Sequence, residues 1–233
     1  MESEPEFLKL EQHVVQCRRC LRLVAWRERV AREKVRRFRS EDYWGRPLPA
    51  FGKPDAALII IGLAPAAHGG NRTGRLFTGD RSGDWLFEAL YAFGFANQPA
   101  SIGVYDGLAL KDCLITAVLR CAPPDNKPLR EEISNCRDYL LRELQLAEKK
   151  RIVLALGQIA FRAFLKTWCE AGGKMPSPGP KFSHGGEWIL SGDIVLISSY
   201  HPSQQNTQTG KLTRPMFHGI FRRARQILEA SPQ

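Results

Sequence analysis

The sequence predicts an α/β fold built on a mostly parallel, four-stranded sheet, and three observations predict it. Four short apolar runs, 57–62, 114–118, 152–156 and 194–198, have the length and composition of buried strands. The segments between them are long enough for crossover helices, which is the rhythm of a parallel sheet covered on both faces. Two of the runs lead into loops dense in glycine and polar residues, "APAAHGGNRTGRLFTGD" and "SSYHPSQQNTQTG". Open parallel sheets bind their ligands at the carboxyl ends of strands, where these loops fall.

Taken in order, the chain begins with an expected helix over 7–34. Basic residues crowd 18–39, most densely in "RERVAREKVRRFR", a stretch that reads equally as a solvated helix face or as a nucleic-acid contact. The first strand, 57–62, feeds the first polar loop and a helix over 83–93. The second, 114–118, leads through "RCAPPDNKP" into a helix over 129–149, where Pro128 just precedes acidic first-turn residues. A third strand and a helix over 158–169 follow. The Gly/Pro-rich stretch 171–186 has no hydrophobic pattern and reads as a connection or binding loop. The last strand, 194–198, opens the second polar loop, and a helix over 214–230 ends the pattern. There is no internal repeat.

Composition bounds the function. With 233 residues, 43% of them hydrophobic, the chain can bury a sizeable core, and one domain over 1–233 is expected. Thirty-four Lys and Arg against 24 Asp and Glu leave a formal charge of +10, which favours a polyanionic partner. Charge alone fits nucleic acid and anionic membrane equally. The opening "MESEPEFLKLEQ" lacks the basic and then apolar regions of a secretion signal, and no apolar stretch reaches the length of a membrane span. A cytosolic protein, or a nuclear one in a source with a nucleus, with no membrane partner is the expectation.

The first loop is neither of two familiar phosphate cradles. "GGNRTGRL" puts Arg75 and Leu76 where a nucleotide P-loop needs Lys and Ser or Thr, and no G-x-G-x-x-G opens a helix after the strand. What remains is a sharply turning loop that delivers Phe77 and Asp80 to one cleft, where an aromatic face beside a carboxylate suits a flat heterocycle undergoing attack by water. In the second loop His201 precedes Pro202, which holds it in extended or turn geometry. Ser203 and Asn206 supply short polar groups suited to phosphate and backbone contacts.

Of six cysteines, Cys17 and Cys20 form a C-x-x-C pair, and Cys121 and Cys136 bracket a loop. They meet only if the N-terminal helix folds against the middle of the chain. A disulfide framework does not suit a cytosolic protein, which leaves a four-thiolate site for zinc or an iron–sulfur cluster as the main reading, against four unconnected thiols. Cys113, in an apolar run, and Cys169, late in a helix, read as core or incidental residues.

Together, "GLAPAAHGGNRTGRLFTGD", "RCAPPDNKP", "HPSQQNTQTG" and the four cysteines resemble the family 5 uracil-DNA glycosylases, the B-type iron–sulfur branch of the uracil-DNA glycosylase superfamily. The resemblance runs from about Cys17 to the last helix. It implies a single three-layer αβα domain whose N-terminal helix is tied down by a [4Fe–4S] cluster on Cys17, Cys20, Cys121 and Cys136. It also implies a monomeric base-excision repair enzyme that acts on double-stranded and single-stranded DNA in the cytoplasm, at the nucleoid. The reaction is hydrolysis of the bond between a flipped uracil, or another deaminated base such as hypoxanthine, and its deoxyribose. Better-known superfamily relatives carry a water-activating Asp or Asn beside the first-motif proline, whereas this chain has Ala64, Ala66 and Ala67 around Pro65. By resemblance Asp80 takes that role, Phe77 stacks on the base with Gly62 and Ala64 beside it, and Asn126 reads the base edge. His201 faces the base oxygen that gains charge, Ser203 meets the DNA backbone, and Asn206 steadies the second motif or meets a DNA phosphate. Leu63 and Ala66, which differ from the Glu and Gly of the sister family 4, favour family 5. A rival from another class is a non-catalytic DNA-binding protein with a four-cysteine zinc site.

Overall fold

The computed structural model describes residues 3–230. Five-residue strands β2 (Leu58–Gly62), β3 (Cys113–Ala117), β4 (Ile152–Leu156) and β6 (Val195–Ser199) pair in parallel in the order β3-β2-β4-β6. Every residue of the first three is buried, as expected for strands covered on both faces. These are the four apolar runs.

The sheet nevertheless has six strands, which corrects the four-stranded expectation. Two-residue β1 (Phe51–Gly52) pairs antiparallel on the free edge of β3, and three-residue β5 (Glu187–Ile189) does so on β6, giving the order β1-β3-β2-β4-β6-β5. Neither edge strand is fully buried and both are very short, so neither carries an apolar run. Gly52, at φ +122°, is required at the first edge, because a Cβ there would collide with the Cys113 carbonyl across the ladder.

Helices cover both faces. The alternation of strand side chains sends Leu58, Ile60, Ile115, Leu154 and Ile197 toward α4 (Arg81–Ala92) and α8 (Arg214–Ala230). It sends Ile59, Ile61, Leu114, Val153 and Leu196 toward α5 (Arg130–Leu146), α6 (Gln158–Glu170) and Phe7 of α1 (Ser3–Val15). The three layers follow directly from the period of two along each strand.

The helix expected over 7–34 is two helices. α1 ends at Val15, and α2 (Leu21–Glu33) begins after Cys20, whose backbone is extended at φ −107°, ψ 94°. Hydrophobic period cannot reveal this break, because both halves are amphipathic but pack on different partners. α1 lies on α5, while α2 buries Leu23, Val24, Arg27 and Val30 and reaches the short helix α3 (Gly70–Thr73). Among the described residues no helix is long and apolar enough to cross a membrane.

Candidate active site

The three sequence motifs leave the carboxyl ends of β2, β3 and β6. Gly62 is the last residue of β2, and Phe77 returns to it at φ +55°, a left-handed backbone that costs a residue with a Cβ. The two fit because Gly62 has no side chain, since a Cβ would stand 2.7 Å from Phe77 Cζ. The Phe77 ring then faces the imidazole of His201, from the β6 loop, with centroids 6.0 Å apart and planes 27° off parallel.

Asp80 is the N-cap of α4, and its Oδ1 accepts the Gly83 backbone N–H at 3.0 Å. The other oxygen points at Gly69, where a Cβ would approach Oδ2 to 2.5 Å. A cleft of about 340 Å³ opens beside it, lined by Ala66, Ala67, Gly69, Asp80 and Asn126. Asn126 comes from the β3 loop, at the end of a 3₁₀ turn (Pro124–Asn126), and is exposed. The fold thus brings Asp80 and Asn126 to one cleft, whereas Phe77, expected there with Asp80, is not among its lining residues and stacks on His201. No reading of local sequence places these groups together.

Burial sets the protonation of both titrating groups. It raises the Asp80 carboxyl above the usual aspartate value, against the lowering effect of the Gly83 and Ser82 backbone N–H groups. It lowers His201 to about 4, so the imidazole is neutral near pH 7. Asn206 Nδ2 donates to the His201 carbonyl at 2.8 Å, and Ser203 Oγ caps α7 (Gln204–Gln208) by accepting the Asn206 N–H at 3.4 Å. These two residues shape the loop around His201.

Trp26 and Arg37 also line the cleft, and sequence reasoning missed both. The only signal was the basic stretch 18–39, which carries no information about where it folds. Tyr43 then locks the segment down, its hydroxyl 3.1 Å from His68 Nδ1. Ala64 packs against the small cluster that contains the cysteines.

Cys17, Cys20, Cys121 and Cys136 line one void, together with Arg27 and Asn135. Arg27 Nη1 donates to Cys121 Sγ at 2.8 Å and Asn135 Nδ2 to Cys20 Sγ at 3.6 Å. Burial pushes the Cys121 thiol up to about 11 and Cys136 up to about 12, a cost that a bound cation relieves by taking the thiolates as ligands. Among the described residues, no three His, Cys, Asp or Glu close on the position of a single metal ion. Cys113 lies buried in β3 and Cys169 is exposed, both apart from this void.

Residues 49–225 match the model of the uracil DNA glycosylase superfamily. The chain is 47% identical over 212 residues to a type-5 uracil-DNA glycosylase of Mycobacterium tuberculosis, covering 91% of this chain and 78% of that one. It is also 47% identical over 216 residues to a type-5 uracil-DNA glycosylase of Thermus thermophilus, covering 93% and 95%. A type-4 uracil-DNA glycosylase of Pyrobaculum aerophilum is 30% identical over 182 residues, with 78% and 81% covered.

Proposed function

The chain belongs to the type-5 branch of the uracil-DNA glycosylase superfamily, and from that premise we propose how its cleft excises uracil from DNA. The observation that carries the reading is the meeting of Asp80 and Asn126 on one cleft, with Phe77, from the same loop as Asp80, stacked on a neutral His201.

Uracil flips out of the duplex and lies against Phe77, whose face accepts any flat heterocycle. The Asn126 amide supplies one donor and one acceptor, which match the O4 and N3–H of a uracil edge. The bond between C1′ and N1 then breaks, and its electron pair leaves with the base. Negative charge grows on uracil O2, where a neutral His201 N–H donates a hydrogen bond without protonating the base outright. Water adds its oxygen to C1′ and gives its proton to the Asp80 carboxylate. A carboxyl pKa raised by burial makes that carboxylate a better base. Products are free base and an abasic site. Ser203 and Asn206 shape the β6 loop and face the DNA backbone in this reading. The small apolar groups of Ala66 and Ala67 on the cleft wall impose few hydrogen-bond demands on the base, which extends the range to hypoxanthine; Ala64 packs against the cysteine cluster instead.

The four cysteines fit a [4Fe–4S] cluster. They supply four soft donors lining one void, with N–H groups already turned to two of the sulfurs. When bound, the cluster supplies a covalent tie between the N-terminal segment and the β3 and α5 region, since hydrolysis moves no electrons. Cys136→Ser should lose iron, brown colour and stability. Full iron content in that variant, or zinc in the wild type, overturns the assignment.

The test of the activity is release of free uracil from a uracil-containing duplex, with hydrolysis of free nucleotides measured alongside. Release from the duplex alone is expected. Hydrolysis of nucleotides without base release, or DNA binding with neither, sinks the reading.

A further inference from the structure

The turn that carries Asn126 is poorly held by its own bonds. Asp125 and Asn126 both adopt left-handed backbone, at φ +52° and +56°, which costs any residue with a Cβ. Prolines at 123, 124 and 128 remove backbone donors around it. Within the turn the backbone bonds are Asn126 N–H to the Pro123 carbonyl at 3.3 Å and Lys127 N–H to the Pro124 carbonyl at 2.9 Å. A strained turn persists only where its surroundings over-determine it.

Arg22 supplies that constraint from another part of the chain. Its Nε donates to Glu132 Oε1 at 2.7 Å and its Nη2 to Glu132 Oε2 at 2.7 Å, a bidentate fork. Nη2 also donates to the Lys127 carbonyl, one residue after Asn126, at 3.2 Å. Glu132 is buried, and its Oε2 in turn accepts the Leu129 backbone N–H at 2.7 Å. One guanidinium therefore clamps the exit of the Asn126 turn and the start of α5. Arg22 stands two residues after Cys20, on the helix that leaves the C-x-x-C pair, and four residues before Trp26 on the cleft wall.

We propose that Arg22 is a positioning residue for base recognition, fixing the strained Asn126 turn through Glu132 and the Lys127 carbonyl. The inference rests on the reading of Asn126 as the base-reading amide. It also gives the four-cysteine segment a consequence for catalysis, because the helix that follows Cys20 carries the clamp. Misplacing a positioned group by about 1 Å costs roughly 100-fold in rate. Arg22→Ala is therefore expected to slow single-turnover uracil excision by about 10- to 100-fold while iron content holds.

A double-mutant cycle separates positioning from general support. If Arg22 acts through Asn126, the pair Arg22→Ala with Asn126→Ala excises uracil no more slowly than Asn126→Ala alone. Arg22→Lys keeps the charge but loses the fork, so it should stay slow, whereas a residue that only attracts DNA phosphate is rescued by Lys. Should Arg22→Ala not fold, Glu132→Gln, which keeps the shape and breaks the charged fork, carries the same cycle. Additive losses in the cycle, or full rescue by Lys, overturn the inference while leaving an active wild type and the uracil reading intact. A wild type that releases no uracil overturns that reading, and this inference with it.

Discussion

The loops that leave β2 and β6 each carry one titrating group of the proposed site, yet they are held by different means. Buried charge anchors the β2 loop. Arg75 pairs with Asp106, both side chains buried, and donates further to Ser101 Oγ at 2.9 Å and the Val104 carbonyl at 3.1 Å. Arg72 pairs with Glu41 and lies over the Phe38 ring at 3.8 Å. The β6 loop relies on neutral bonds, chiefly Asn206 to the His201 carbonyl and the Ser203 cap. The contrast follows the chemistry of the two groups. In the proposed mechanism Asp80 acts as an anion, and Arg72 nearby lowers its pKa against the larger effect of burial. In the same mechanism His201 acts neutral, and a carboxylate beside it would favour the charged imidazolium instead. Burial is the cause of its shift.

The largest effect expected from this contrast is on stability. Asp106→Ala leaves Arg75 buried without its partner, and breaking such a pair costs about 3–5 kcal/mol. Chemical denaturation measures it, and a loss comparable to that of an exposed pair would show the loop to be held by packing instead. The Asp106 carboxyl also sits low, at about 2. Burial opposes the shift, but the Leu108 N–H, the Arg75 guanidinium and the Ile102 and Gly103 N–H groups outweigh it. Its folded pKa is below its unfolded one, so this contribution is present above about pH 4 and is lost as pH falls toward 2.

Next comes the chemical step. His201→Ala removes a charge-stabilising donor and should slow single-turnover excision by roughly 100- to 1000-fold with DNA affinity retained. Asp80→Ala should cost less with uracil, a good leaving base whose departure needs little help from a sharpened water. Equal losses in rate and affinity would reassign His201 to DNA binding. Acidity separates the two groups. Excision should fall with acidification at a pH above the ordinary aspartate value, as Asp80 protonates, and show no inflection near 6.5 from His201. An inflection near 6.5 that disappears in His201→Ala would mean a solvated, protonating imidazole. The same histidine makes stability decline as pH falls from about 6.5 to about 4, because over that window the unfolded chain takes up a proton that the folded one refuses.

The smallest effect tests the neutral support of the β6 loop. Asn206→Ala removes one hydrogen bond, worth about 1 kcal/mol, so excision or stability should change by roughly 10-fold or less. A loss as large as that of His201→Ala would show that the carbonyl bond, rather than burial, sets the position of the imidazole.

Local pattern was enough for the four parallel strands, for the order of the motif loops and for the C-x-x-C pair. A buried strand must be apolar along its whole length, and a ligand loop at a strand end need not be, so composition alone marks both. The edge strands β1 and β5 left no such mark, because two or three partly exposed residues pair only when a neighbouring ladder offers its free edge. The division of the first helix into α1 and α2 was equally silent, since each half buries its own face against a different partner.

Sequence by itself determined which residue types were present for the chemistry: a carboxylate and an aromatic in one loop, a histidine in another, an amide in a third, four paired-up cysteines. Only the tertiary structure decided what they meet. The approach of Phe77 to Gly62 and of Asp80 to Gly69 depends on side chains that are absent, which is a property of pairs and not of positions. Trp26 and Arg37 join the cleft because α2 and the segment after it fold over the β2 loop. The neutral state of His201 and the raised carboxyl of Asp80 arise from desolvation, a quantity set by the whole surrounding fold and carried by no residue alone.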